Sequence, residues 1–189
     1  MKLSGSYQIN LEKQKVWDSL NDPEILKKSI PGCDEFKKNS DTEFTASATN
    51  KIGPFNATFT GDIELKDLNP PNSYKIIGSG NSPVGFANGE ASVNLEAFEG
   101  GTKLTYIVEA NVGGKIAQVG SRLIDMTAKK MADIFFGNFS KLISQSKDLE
   151  KNEKVEDRIP KVEKSSSKIM MITLIGLISI AILAYFIAY

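Results

Sequence analysis

The sequence predicts an α+β fold in which a curved antiparallel sheet of roughly six to seven strands wraps around one long helix near the C-terminus. Three observations lead there. From Gly32 to about Ala110, apolar and polar residues alternate with a period of two, the mark of strands with one buried face. From about Lys115 to Leu149 the spacing changes, and Ile116, Val119, Leu123, Met126, Met131, Ile134, Phe135, Phe139 and Leu142 recur three to five residues apart, as on an amphipathic helix. Strands and helix thus each present a single apolar face, and the simplest way to bury both is to lay the helix across the sheet, as in folds of the helix-grip type.

Each element follows in turn. Alternation over Leu3 to Ile9 predicts the first strand, and Val16, Trp17 and Leu20 at helical spacing predict a short helix after it. Asp22 before Pro23 supplies an N-cap and a first-turn proline, so a second short helix (PEILKKSI) follows and stops at Pro31-Gly32. Phe44, Ala46 and Ala48 mark a strand whose hairpin partner, beyond a Gly53-Pro54 turn, carries Phe55, Ala57, Phe59, Gly61, Ile63 and Leu65. Asn69-Pro70-Pro71-Asn72 breaks the chain before Tyr74 to Gly78, and a loop around Pro83 precedes the strand of Ala91, Val93, Leu95 and Ala97. Gly100-Gly101 turns into Leu104, Tyr106, Val108 and Ala110, and Gly113-Gly114 closes the sheet. Gly78-Ser79-Gly80 is read as a link between strands; with no helix after it, it is not a dinucleotide turn.

Of 189 residues, 1–146 are expected to form one domain, 147–168 (KDLEKNEKVEDRIPKVEKSSSK) a charged flexible linker, and 169–189 a transmembrane tail anchor. The anchor expectation rests on a charge-free run from Ile169 to Tyr189, which as a helix would span roughly 30 Å. Lys161, Lys164 and Lys168 precede it and the N-terminal MKLSGSYQIN has no apolar signal core, so the domain is expected to face the cytoplasm from a single-pass membrane attachment.

Composition removes several classes of chemistry. There is no histidine and one cysteine, Cys33, which takes away His-based acid/base catalysis, Ser-His and Cys-His nucleophile pairs, an internal disulfide and the common zinc and iron–sulfur ligand sets. Lys plus Arg balances Asp plus Glu at 23 each, so no net field favours nucleic acid. Neither a catalytic residue nor a metal site is expected.

The inward face of the predicted sheet is short of volume. Beside Phe44, Phe55, Phe59 and Tyr106 stand Ala46, Ala48, Ala57, Gly61, Gly78, Ala91 and Ala110, where a packed core would use Leu, Ile or Val. Either helix and sheet approach to fill the gap, or an apolar cavity remains for a lipophilic ligand with a flat ring. The candidate lining residues are Phe44, Ala46, Phe55, Ala57, Phe59, Gly61, Phe86, Tyr106, Val108 and, from the long helix, Met126, Met131 and Phe135.

Several local motifs appear in a characteristic order. They are Asp22-Pro23, Ile30-Pro31-Gly32-Cys33, Gly53-Pro54-Phe55 with Phe59 and Gly61, Gly85-Phe86-Ala87 before Gly89-Glu90-Ala91, Gly101-Thr102 with Leu104 and Tyr106, the run from Gly113 to Ile124 (GGKIAQVGSRLI), and Phe135-Phe136. Together they resemble the carbon monoxide dehydrogenase G-subunit family over roughly residues 1–145. The resemblance implies a START-like, polyketide-cyclase-related fold with an apolar cavity between sheet and helix. It further implies an accessory role: attachment of a molybdenum-containing hydroxylase or dehydrogenase to the membrane, and binding of a respiratory isoprenoid quinone as the lipophilic small molecule, with no covalent cofactor.

Two alternatives stand beside this reading. The same fold serves cyclases and aromatases, for which Tyr106 would be the main inward polar group. A ligand-free scaffold would instead use the long helix, where Lys115, Arg122 and Lys129, seven apart, are expected to line one side as a contact for an acidic partner or lipid headgroups.

Overall fold

The computed structural model describes Met1 to Glu156, with side chains to Gln145. Its elements are β1 (Lys2–Ile9), α1 (Lys13–Leu20), α2 (Pro23–Ser29), β2 (Cys33–Lys38), β3 (Glu43–Ile52), β4 (Phe55–Asn69), β5 (Ser73–Ser82), β6 (Gly85–Phe98), β7 (Gly101–Gly113), a 3₁₀ turn (Lys115–Val119) and α3 (Ser121–Glu156). The strands form one open antiparallel sheet in the order β1-β7-β6-β5-β4-β3-β2. The two short helices fall between its edge strands in sequence, as expected.

Local chemistry accounts for most boundaries. Asp22 caps α2 as predicted, its Oδ1 accepting from the backbone N–H of Glu24 at 2.8 Å and of Ile25 at 3.3 Å. The expected loop around Pro83 is instead a tight turn: Ser82 Oγ donates to the Gly85 carbonyl at 3.0 Å and accepts from the Val84 N–H at 3.3 Å. With so short a connection β5 runs straight through Gly78-Ser79-Gly80, which therefore sits inside a strand.

The long helix also departs from expectation at its start. Gly120 takes a left-handed backbone conformation (φ 88°), which ends the 3₁₀ turn and lets α3 begin afresh at Ser121. Lys115 consequently belongs to a different element from Arg122 and Lys129, so the expected seven-residue stripe along one helix does not form. At its other end α3 continues to Glu156, ten residues into the stretch expected to be a flexible linker. Spacings such as Glu150 to Lys154, with no proline before Pro160, favour the helix there. The remainder of the expected linker and the expected tail anchor lie outside the described residues; among the described residues no helix is long and apolar enough to cross a membrane.

The core is concentrated at one end of the sheet. Val16, Trp17 and Leu20 of α1 meet Leu95, Leu104 and Tyr74 of the sheet and Phe139 and Ile143 of α3, all buried. Trp17 packs edge-on to Tyr74 with ring centroids 5.3 Å apart. Asn138 on α3 donates to the Ser29 carbonyl at 3.2 Å, tying α2 to the long helix. Large side chains at this end hold α3 off the sheet, and what lies under its other end depends on the residues there.

Candidate functional site

Register shows how volume is distributed across the inner face. Near the core end, Tyr74 faces Val93, which faces Tyr106. Farther along, one cross-strand row reads Phe44, Ile63, Gly78, Gly89, Ala110, and the next reads Ala46, Gly61, Gly80, Ala87, Val112. Side chains shrink as the strands approach the β3–β4 and β5–β6 turns. A Cβ added at Gly78 or Gly80 would meet nothing within 4 Å, so both glycines face open space.

Two apolar cavities lie beneath α3, and Gly80 lines one of them. One, of about 200 Å³, lies toward the core and is lined by Phe44, Ile63, Tyr74 and Val93 of the sheet, Leu26 and Ile30 at α2, and Phe135 and Phe136 of α3. The other, of about 280 Å³, lies under the start of α3 between Ala48, Ile52, Phe59, Gly80, Ala87, Ala110 and Val112 of the sheet and Ile116, Ile124, Ala128 and Met131. Its two polar side chains are already engaged: Thr127 Oγ1 donates to the Leu123 carbonyl at 2.8 Å, and Asn50 Nδ2 to the Pro31 carbonyl at 3.2 Å. Such a lining is almost wholly apolar and accepts hydrocarbon.

A larger concavity of about 990 Å³ occupies the opposite, outer face of the sheet. Glu43 pairs across from Glu64, and Glu90 from Glu109, with Asp62 alongside. Lys66 reaches Glu64 at 3.2 Å and Lys2 reaches Glu109 at 2.7 Å, both in solvent. An open, charged surface cannot strip water from a lipophilic molecule, so the inner cavities are the candidate site.

The expected lining residues fall into three groups. Phe44 and Phe135 line the inner cavity, and Phe59 and Met131 the outer one. Ala46, Val108 and Tyr106 pack in or against the buried core. Phe55 and Ala57, half-buried near the β3–β4 turn, line neither cavity, and Gly61 is needed because a Cβ there would collide with the Ser79 carbonyl. Two residues belong elsewhere. Met126 is 60% exposed and Phe86 38% exposed. On a 3.6-residue helix, positions 126 and 131 lie about 140° apart and cannot both face the sheet. Phe86 precedes inward-facing Ala87, so alternation turns it outward. Sequence reasoning overlooked Gly80, Ala87, Ile116 and Ala128. Gly80 and Ala87 become legible once β5 and β6 are extended to their tight turn.

Polar groups near α3 gather at the β1 edge instead. Tyr7 donates its hydroxyl to Asp133 Oδ1 at 2.5 Å and stacks on Phe136 with centroids 4.1 Å apart, while the Tyr106 ring covers Gly5. Tyr106 lines neither inner cavity, which leaves the cyclase reading without its expected inward polar group there. Burial raises the phenol pKa of Tyr7, Tyr74 and Tyr106 above 10.0, and the Asp133 carboxylate adds to the effect at Tyr7. A group whose folded pKa is raised gives stability that is complete below its unfolded pKa and lost as pH rises through the folded one. The domain should therefore hold its stability up to a pH of about 10 and lose it above, with delayed tyrosinate absorbance; urea melts across alkaline pH test this. Burial also pushes the Cys33 thiol up, away from reactivity. Among the described residues no group of His, Cys, Asp and Glu could hold a metal ion.

An open antiparallel sheet gripping a C-terminal helix, with apolar space between them, defines a START-like domain. More specifically, the chain belongs to the carbon monoxide dehydrogenase G-subunit (CoxG) family, whose profile matches residues 5–144. A conserved protein from Geobacillus kaustophilus is 32% identical and superposes with a TM-score of 0.74, covering 77% of this chain and 97% of its own. Proteins from Thermus thermophilus (10% identity, TM-score 0.60, 77% of this chain and 99% of that one) and Mycobacterium smegmatis (15%, 0.56, 77% and 92%) share the fold. No curated protein matches the chain.

Proposed function

We propose that this protein is a non-catalytic accessory subunit that takes a lipophilic ligand, an isoprenoid quinone, into the space beneath α3 and brings it to a membrane-associated molybdenum hydroxylase of the carbon monoxide dehydrogenase type. The observation that carries the reading is the 280 Å³ cavity, apolar on every side and open above Gly80. Family membership supports the accessory role and the enzyme partner. The charge-free segment 169–189 supports attachment to the cytoplasmic membrane.

Energetics suit a carrier. Burying some 300 Å² of isoprenoid tail gives roughly 7 kcal/mol before ordering costs, and the bilayer offers the same tail a similar environment. Exchange between the two is near balance. Since the lining is almost wholly apolar, the tail belongs inside and the quinone carbonyls at the rim, where water satisfies them.

Organic extraction and mass spectrometry of the full chain, purified in detergent from its native membranes, should yield a stoichiometric isoprenoid quinone. A ligand-free chain that also refuses added quinone would sink the carrier reading in favour of a docking scaffold.

A further inference from the structure

We propose that the end of the domain built from the β3–β4 turn, the β5–β6 turn, the 3₁₀ turn and the first turns of α3 is a docking surface for an anionic phospholipid bilayer. This goes beyond the ligand reading, because it assigns the folded domain its own membrane contact and an orientation.

Charge is the first argument. Segments 50–60, 79–89 and 111–124 meet at this end, and their only ionisable side chains are Lys51, Lys115 and Arg122, all cationic and exposed. The next turns of α3 add exposed Lys129 and Lys130 against two acids: Asp125, partly buried with its Oδ1 shut off from solvent, and Asp133, which accepts from Tyr7. Asp34, on neighbouring β2, is held by the Thr49 hydroxyl at 2.7 Å. At the opposite end the signs alternate, as in the Lys38–Asp41 and Lys75–Asp67 pairs. The outer sheet face carries Glu43, Asp62, Glu64, Glu90 and Glu109. The full chain is neutral overall, and within the domain these positions separate the two signs, so an anionic surface turns it cationic end first.

Shape is the second. Pro54 and Pro83 stand exposed at the two turn tips, Phe86 faces out beside them, and Met126 is 60% exposed on α3. Isolated apolar side chains among lysines and arginine match a headgroup layer, into which they insert separately while the cations meet phosphate. The same segments supply Ile52 and Ile116 to the lining of the 280 Å³ cavity, which places that cavity next to this surface. A hydrocarbon ligand could then pass from bilayer to cavity without crossing water.

The test uses the full chain in a Cys33→Ser background, reconstituted into phosphatidylcholine vesicles with or without phosphatidylglycerol and carrying doxyl-labelled lipid. A fluorophore attached through Pro54→Cys or Pro83→Cys should be quenched, and only when phosphatidylglycerol is present. One attached through Gln8→Cys, exposed on β1 away from these turns, should not. Combining Lys51→Glu, Lys115→Glu and Arg122→Glu should weaken the partitioning of the tips on the order of a hundredfold, with unchanged Trp17 emission as the folding control. Equal quenching at Gln8, indifference to lipid charge, or full quenching in the triple variant would each overturn the surface. So would tips that ignore both lipids while the triple variant loses binding to an acidic protein, which would make this a protein interface. Quinone content of the same samples separates the two readings: ligand without quenching rejects only the docking surface, and quenching without ligand rejects only the carrier.

Discussion

Leucine in place of Gly80 should abolish uptake of an isoprenoid quinone while leaving the domain folded. Gly80 lies on β5 in ordinary extended backbone, and a side chain there would point into the 280 Å³ cavity with nothing within 4 Å of its Cβ. Filling existing apolar space buries hydrocarbon at no cost in displaced protein atoms, worth about 1.5–3 kcal/mol at full burial, and a strand loses the entropic penalty of glycine. Thermal stability should accordingly stay level or rise as ligand binding disappears. Titration with quinone read by fluorescence quenching, beside a thermal melt, checks both halves. Unchanged uptake would remove the cavity from the mechanism. Gly61→Ala is the contrasting control, because its methyl would run into the Ser79 carbonyl and destabilise the sheet whatever the ligand does.

The largest loss of stability is expected from Phe139→Ala, at about 3–5 kcal/mol, against a total that for such domains is about 5–15 kcal/mol. Phe139 is fully buried, stacks on Phe135 with centroids 5.9 Å apart, and belongs to the cluster where α1, α3 and the sheet meet. Alanine would leave a cavity where three elements depend on one ring. Urea unfolding followed by Trp17, the one tryptophan and itself in that cluster, gives the readout directly. Met126→Ala on the same helix should change stability by no more than about 0.5 kcal/mol, since its side chain is mostly in water. If the two variants lost similar amounts, the assignment of faces on α3 would be wrong.

These two helix positions show where sequence reading succeeded and where it failed. Apolar spacing identified a long amphipathic helix and placed Phe135 and Phe139 on its buried side. It also recruited Met126, because a five-residue step to Met131 was counted as one face although it turns the helix by about 140°. Phe86 failed because the strand was read from Ala91 after a loop around Pro83, whereas β6 begins at Gly85 and its alternation turns Phe86 outward. Of the small residues flagged as cavity-forming, Ala48 and Ala110 do border open space, whereas Ala46 packs against the core.

The sequence alone determined the period-two strands, the two short helices with Asp22 capping the second, the long amphipathic helix and hence the antiparallel helix-grip architecture, because periodicity and capping are local properties that a chain carries wherever it folds. Only the tertiary structure decided which small side chains face empty space. That depends on how far α3 stands from the sheet, and the distance is set at the far end by Trp17, Tyr74, Phe136 and Phe139. Alternation names the inward face of a strand, but the volume left in front of that face belongs to the packing of other elements.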